Sequence, residues 1–229
     1  MTIYALVPKH SPVHLWGLSS TQRLQRQLKQ ISKESGDEFR DIRWLESSDD
    51  LPAAGQVLVK VGAVALNPVD TYIRAGMIPF DLPKPFIVGW DLAGVVEAVG
   101  ADVTRFKPGD RVWGTNQGLL GRQGTVSEDA AVDECWLYPT PPRAGDPDAA
   151  AVALVGITAH LGLFAKARIQ EGETLFVHGG SGGVGSAVIQ MAKAVGARVA
   201  TTAGDDRKAE ACRQLGADLV VNYKTEDVD

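Results

Sequence analysis

Three glycines, Gly180, Gly182 and Gly185, follow the apolar run "TLFVHGG" and lead into "GSAVIQMAKAVGA". The spacing G-x-G-x-x-G, set between a strand-like and a helix-like stretch, is that of a turn able to hold a pyrophosphate. In such a turn the first glycine permits the tight bend and the second lets backbone approach the phosphates. The third lets the helix pack on the strand. Ser181, Gly183 and Val184 complete the loop, whose amides at the helix start face negative charge with a favourable dipole. The next apolar run ends in "TTAG", with Ala203 and Gly204 where an NAD-preferring site carries an acid. Lys208 and Arg207 follow, cations suited to a 2′-phosphate, and Asp205 and Asp206 beside them act against it. The cofactor expected is NADPH.

The elements that must position this turn can be read around it. "TLFVHGG", "RVATTAG" and "DLVVNY" read as strands, alternating with helices over "GSAVIQMAKAVGA" and "DDRKAEACRQLGA". In the first helix Val188, Met191, Ala192 and Val195 fall at helical spacing. Alternating strands and helices with short connections imply a parallel, doubly wound sheet. Upstream, "QVLVKVGAVAL", "FIVGWDLAGVVEAVG" and "GDRVWG" are valine-rich strands separated by turns such as "FKPGDRV", the pattern of a compact β-barrel. "TPPRAGDP" marks a boundary between the two parts. Beyond it "DAAAVALVGITAHLGLFAKA" reads as a helix with Asp146 or Asp148 at its start. Near the N-terminus Leu24, Leu28 and Ile31 place an amphipathic helix within residues 18–36, read as an inserted surface segment. The fold class is α/β, with a barrel domain over residues 1–150 and an incomplete nucleotide-binding domain over 151–229.

Composition limits the partners. The chain has 229 residues and a net charge of −5, with a pI near 5.4, so no overall positive field favours nucleic acid or anionic lipid. Two cysteines, Cys135 and Cys212, suit a reduced interior. No signal peptide and no segment long enough to cross a bilayer is read, and the cytoplasm is the expected compartment.

The segments "VALNPVDTYIRAGMIP", "PFIVGWDLAGVVEAVG", "VTRFKPGDRVWG" and "GITAH", together with the glycine turn, resemble the zinc-independent medium-chain dehydrogenase/reductases. Within them the chain resembles the NADPH:quinone oxidoreductase, or zeta-crystallin-like, group from about residue 51 onward. The resemblance implies a GroES-like β-barrel catalytic domain followed by a Rossmann domain, with the active site between them. It implies reduction of quinones, or of the activated double bond of enals and enones, by NADPH. Zinc-dependent relatives carry a cysteine ligand where this chain has Asn67 and a His-Glu pair where it has Trp90-Asp91. Neither an amide nor an indole is a useful zinc ligand, so no metal is expected. His10, His14, His160 and His178 lie in separate segments.

By the same resemblance Asn67 and Tyr72 lie near the nicotinamide and the substrate carbonyl. Tyr72 then donates a hydrogen bond to developing negative charge, or packs in the barrel. Asp70 is read as stabilising the "NPVDTY" turn. Thr158 corresponds to a threonine on the nicotinamide side, Lys208 to a lysine that pairs with the 2′-phosphate, and Tyr223 to a tyrosine on the adenosine side. His160 replaces a frequent aromatic. The partner expected is a small quinone or enone, with neither nucleic acid nor membrane, and with homo-oligomers open to the full-length form.

Three departures stand out. The family's N-terminal hairpin is stretched by residues 18–36. The cleft stretch "GTVSEDAAV" lacks both of its usual aromatics, and the sequence stops after the third Rossmann strand, as a fragment of a longer protein would. An enoyl-thioester reductase, or a nucleotide-binding protein without turnover, are the alternative functions.

Overall fold

Two short strands open the architecture: β1 (Thr2–Val7) and β2 (Asp41–Glu46). They run parallel with Thr2 opposite Asp41, which corrects the expected hairpin, since parallel neighbours need a crossover and not a tight turn. The computed structural model describes residues 2–7, 41–46, 52–79 and 81–227. The helix expected within 18–36 lies outside the described residues.

Valine at alternate positions of "QVLVKV" gives a strand with one apolar face. Accordingly β3 (Gln56–Ala65) buries Val57 and Val59 completely. A short helix, α1 (Pro68–Arg74), follows where the sequence was read as a turn. Its proline stands in the first turn, where a missing N–H costs nothing. Four more strands complete this half: β4 (Asp91–Val99), β5 (Arg111–Gly114), β6 (Asp129–Asp133) and β7 (Leu137–Pro139). They form an antiparallel sheet in the order β6-β3-β4-β5-β7. Leu92, Val96, Val112, Val132 and Leu137 join Val57 and Val59 in its core.

A long helix, α2 (Asp146–His160), leads out of the barrel and continues as a π-helical run over Leu161–Ala167. These 22 residues are long and apolar enough to cross a membrane by length and composition, contrary to the expectation that no segment has that length. Packing accounts for part of the composition, with about a third of the apolar window buried. Ala149 and Ala150 are buried against Ala93 of β4, and Ala153, Gly156 and Ala159 are buried along the same helix. The helix contacts both halves of the molecule through this buried stripe. Asp146 in its first turn receives Arg111 Nη2 at 2.6 Å, which ties the helix start to β5.

The last part alternates as the sequence pattern requires. β8 (Thr174–Val177), α3 (Gly183–Ala194), β9 (Arg198–Ala203), α4 (Asp206–Gln214) and β10 (Leu219–Asn222) follow in order. The sheet is parallel with strand order β10-β9-β8. Of the residues expected on the inner face of α3, Val188 and Ala192 are buried, and Met191 and Val195 are half-buried. Cys212 is a free thiol in this second core, and Cys135 is free and exposed.

The sheet of the barrel is tightest at Gly94, opposite Val61 and beside a register shift of β3. A Cβ there would strike the Lys60 carbonyl oxygen and come within 3.0 Å of the Gly62 nitrogen. Both are backbone atoms, so relief requires the strands to part. Gly94→Ala is expected to destabilise the protein by about 2–4 kcal/mol. Gly55→Ala, whose Cβ meets nothing within 4 Å, is expected to stay within about 0.5 kcal/mol of the parent. Thermal or denaturant unfolding of both variants checks the pair, and equal effects would refute the close-approach argument.

Candidate cofactor and active site

The glycine turn is pinned to the middle strand of the parallel sheet. The Gly179 amide donates to Thr202 Oγ1 at 2.9 Å and the Gly180 amide to the Thr202 carbonyl at 3.1 Å. The Thr201 hydroxyl donates back to the Val177 carbonyl at 2.7 Å. The left-handed residue of the bend is Gly179, with φ 68°. Gly180 is required for space instead: a Cβ there would meet the Thr201 side chain and lie 2.9 Å from Ile189 Cδ1. Gly185 is also required for space, because its Cβ would strike the Gly179 carbonyl oxygen and reach 2.7 Å from Gly180 Cα. Gly182 is the N-cap of α3 and is exposed, as are Gly183 and Val184. Ser181 is half-buried in the loop before them. The first amides of a helix have no intrahelical acceptor, so this end presents donors to an anion approaching from solvent.

At the carboxyl end of β9 the chain carries no side-chain bulk. A Cβ on Gly204 would lie 3.0 Å from Tyr223 Cζ, so the tyrosine ring, which is half exposed, leans directly over that glycine. Asp205 caps α4, its Oδ1 accepting the Lys208 amide at 2.8 Å. Its Oδ2 lies 3.6 Å from Lys208 Nζ. The backbone bond from Lys208, followed by that residue's charge, holds the Asp205 carboxyl below the ordinary aspartate range. Asp206 is engaged as well, with Oδ1 accepting from Asn222 Nδ2 at 3.1 Å. Both acids therefore have local partners. The Lys208–Asp205 pair is exposed, and such pairs contribute little, so the ammonium can be redirected to a phosphate at small cost.

The barrel half of the site is a buried polar network. Asn67 precedes α1, and its Nδ2 donates to Asp91 Oδ2 at 2.8 Å. The Thr115 hydroxyl donates to Asp91 Oδ1, and Thr125 Oγ1 donates to the Asp91 carbonyl at 2.8 Å. Burial pushes the Asp91 carboxyl above its ordinary value, while the bonds from Thr115 and Asn67 pull it down. Asp70 accepts the Asn67 backbone N–H at 2.7 Å, which fixes the start of α1 as its sequence reading as a local stabiliser anticipated. Burial raises its carboxyl too. Tyr72, on α1, is 46% exposed. Thr158, on the exposed side of α2, donates its hydroxyl to the Leu154 carbonyl at 2.9 Å.

The structure thus gathers Gly180–Gly185, Gly204, Lys208 and Tyr223 around the carboxyl ends of the parallel strands. The hydrogen bonds of Asn67 stay within the barrel. Helix α2 spans the two groups: Ala150 touches the barrel, and a Cβ on Gly183 would lie 2.9 Å from Val155 Cγ1. Between α2 and α3 lies an apolar groove of about 400 Å³, lined by Trp113, Gly156, His160 and Met191 among others. It contains none of the expected site residues, and His160 packs there with Phe164 at 4.9 Å. Zinc does not fit at Asn67 and Trp90, because neither a carboxamide nor an indole is a useful zinc ligand. Among the described residues no group of three His, Cys, Asp or Glu side chains could hold a metal.

Two family models match. The alcohol dehydrogenase GroES-like domain covers residues 53–142, and the zinc-binding dehydrogenase domain covers residues 183–229. A quinone oxidoreductase of Mus musculus is 40% identical over 76% of this chain and 51% of the relative. The chain belongs to the medium-chain dehydrogenase/reductase superfamily, in its zeta-crystallin-like group. Its α/β fold is a GroES-like barrel followed by a Rossmann-type sheet. A 2-methylene-furan-3-one reductase of Solanum lycopersicum is 40% identical over 82% of this chain and 50% of the relative. A crystal structure of Escherichia coli quinone oxidoreductase complexed with NADPH superposes with a TM-score of 0.68. It shares 33% identity and covers 80% of this chain and 55% of that one. This medium-chain dehydrogenase/reductase chain spans about half the length of the curated relatives it matches.

Sequence reasoning passed over Asp91, which was weighed only as an absent zinc ligand, and over Thr115 and Thr125. Spacing could not have joined them, since Asn67 and Asp91 lie 24 positions apart. The capping role of Asp205 was passed over as well, although an aspartate three residues before an amide donor is a standard helix start.

That cap yields a pH signature. The folded-state carboxyl of Asp205 titrates below its ordinary value of 3.8, so its contribution to stability is complete above that value. It is lost as pH falls through the lower, folded value. Asp205→Ala is expected to lower the melting temperature at pH 7, with the difference from the parent shrinking as pH falls below 3.8. A difference that does not depend on pH would show that the carboxylate is not the stabilising group.

Proposed function

We propose that this chain forms the catalytic and cofactor-binding core of an NADPH-dependent reductase of quinones or α,β-unsaturated carbonyls, acting by direct hydride transfer without zinc. The observation that carries the reading is the pairing of an open glycine turn with Lys208, beside a β9 terminus that holds Ala203 and Gly204 and no acid. The mouse relative's name as a quinone oxidoreductase, the tomato relative's as a 2-methylene-furan-3-one reductase, and the NADPH complex of the Escherichia coli protein support it. Residues 1–150 serve as the catalytic domain and 151–229 as the nucleotide domain. The negative charge and free cysteines accord with a cytoplasmic protein whose partner is a small molecule.

NADPH, when bound, supplies the hydride. The chain's own residues bind and orient. The amides at Gly183 and Val184 receive the pyrophosphate, and Gly180, Ser181, Gly182 and Gly185 hold the turn in shape, with the Gly182 amide donating to the Gly179 carbonyl at 2.9 Å. Lys208 meets the 2′-phosphate, with Gly204 and Tyr223 forming the wall beside it. Thr158 and Asn67 orient the nicotinamide end. The exposed hydroxyl of Tyr72 donates a hydrogen bond to the acceptor's carbonyl oxygen as negative charge develops there. Positioning of two reactants is the main contribution such a site makes.

Lys208→Ala separates this reading from its rivals. A bond to a charged phosphate contributes about 1.5–3 kcal/mol, and competition from Asp205 and Asp206 places the loss at roughly 10- to 40-fold in NADPH affinity. NADH affinity is expected to stay unchanged, since NADH lacks the phosphate. Titration of both cofactors at two salt concentrations checks this, because exposed pairs are screened. Equal weakening of both would assign Lys208 to the fold or to the shared part of the ligand. NADPH binding without turnover of any quinone or enone would favour a nucleotide-binding role.

The metal expectation has its own measurement. The purified protein is expected to hold zinc well below one equivalent by elemental analysis and to keep its NADPH affinity after chelation. Stoichiometric zinc would overturn the assignment of Asn67 and Trp90 as non-ligands.

A further inference from the structure

A carboxylate with 1% of its surface exposed stands behind Asn67. Asp91 accepts the Asn67 amide on one oxygen and the Thr115 hydroxyl on the other, and Thr125 clamps its carbonyl. Two separate elements therefore converge on the Asp91 side chain, and a third holds its main chain. A carboxamide has a donating end and an accepting end, whereas an ionised carboxylate only accepts. The flipped orientation of Asn67 would set its oxygen against Asp91 Oδ2, with no proton between them. Asp91 thus discriminates between two amide orientations that are nearly equal in shape.

Stability alone gives no reason for this arrangement. Among the described residues no cation pairs with Asp91, and the charged neighbour whose field reaches it is Asp70, a like charge that raises it further. Burying an unpaired carboxylate is costly, and a buried polar network is worth retaining where orientation matters. We propose that Asp91 is a positioning residue. It locks the Asn67 carboxamide in one orientation and, through it, the nicotinamide end of the bound cofactor, with Thr115 anchoring the carboxylate. The cofactor half of this inference rests on the reading of Asn67 as a nicotinamide contact.

The test is Asp91→Asn, which keeps the shape but offers Asn67 a group that both donates and accepts. In the parent protein the Asn67 side-chain amide protons are expected to exchange slowly with solvent by nitrogen-15 NMR. In the variant they should shift and exchange faster. With NADPH and a quinone, kcat is expected to fall about tenfold or more, the scale of one bond to a charged group, with little change in KM for the quinone. In an Asn67→Ala background the same substitution should lower kcat no further, because both act through one contact. Thr115→Val, which loosens Asp91 without removing its charge, should give a smaller loss of the same kind and serves if Asp91→Asn does not fold.

Equal losses in the two backgrounds, or a lowered melting temperature with kcat unchanged, would overturn the inference. If the parent protein reduces no acceptor, the proposed function fails. The amide signal then still decides the positioning claim: unchanged shift and exchange in Asp91→Asn or Thr115→Val would sink it.

Discussion

The close approach of helix α2 to the barrel sheet on one side and to helix α3 on the other is the constraint on which the other features depend. Its alanines bury against Ala93 in the barrel, and its Val155 meets the backbone of Gly183 at the phosphate turn. Only small residues allow a helix to come so near two backbones at once, and close packing makes the arrangement stiff. A larger side chain at Ala150 or Gly183 would move one half against the other. The Arg111–Asp146 pair adds a directional tie at the start of the same helix.

From that helix the two halves of the candidate site follow by different physics. The cofactor half is mostly backbone: exposed amides at the start of α3, a left-handed Gly179, and a Gly204 shaved down beneath Tyr223. Backbone donors are rigid and need no side-chain ordering, which suits a group common to many nucleotides. The cation that would discriminate between nucleotides, Lys208, is instead a long exposed side chain held by Asp205. Under the proposed function, specificity there rests on a competition between Asp205 and the 2′-phosphate for one ammonium.

The barrel half is built from side chains removed from water. Asn67, Asp91, Thr115 and Thr125 satisfy one another across β4, the residue after β5, and the loop before β6. In a low-dielectric interior such bonds are strong, and an unsatisfied member is costly. The network therefore fixes the geometry of Asn67 more firmly than a solvent-exposed carboxamide could be fixed. Tyr72, half exposed on the short helix that follows, is the freer partner.

The sequence by itself determined whatever depends on local periodicity or on a compact motif. The valine alternation of β3, the glycine turn between β8 and α3, the strand–helix alternation after residue 170, and Asp205 before its helix all act over a few residues, where spacing and geometry are linked directly. Tertiary structure decided the rest. It converted "NPVDTY" from a turn to a helix and made β1 and β2 parallel. It packed the small-residue stripe of an apolar 22-residue run against the barrel, where composition alone permits a membrane. It gave the left-handed conformation to Gly179 and left Gly180 with a steric role, because that depends on where Thr201 and Ile189 pack. Above all it joined Asn67 to Asp91. Pairing across 24 residues is set by strand register and by where the start of α1 meets the first residue of β4, and a buried hydrogen bond leaves no periodic trace in a single chain.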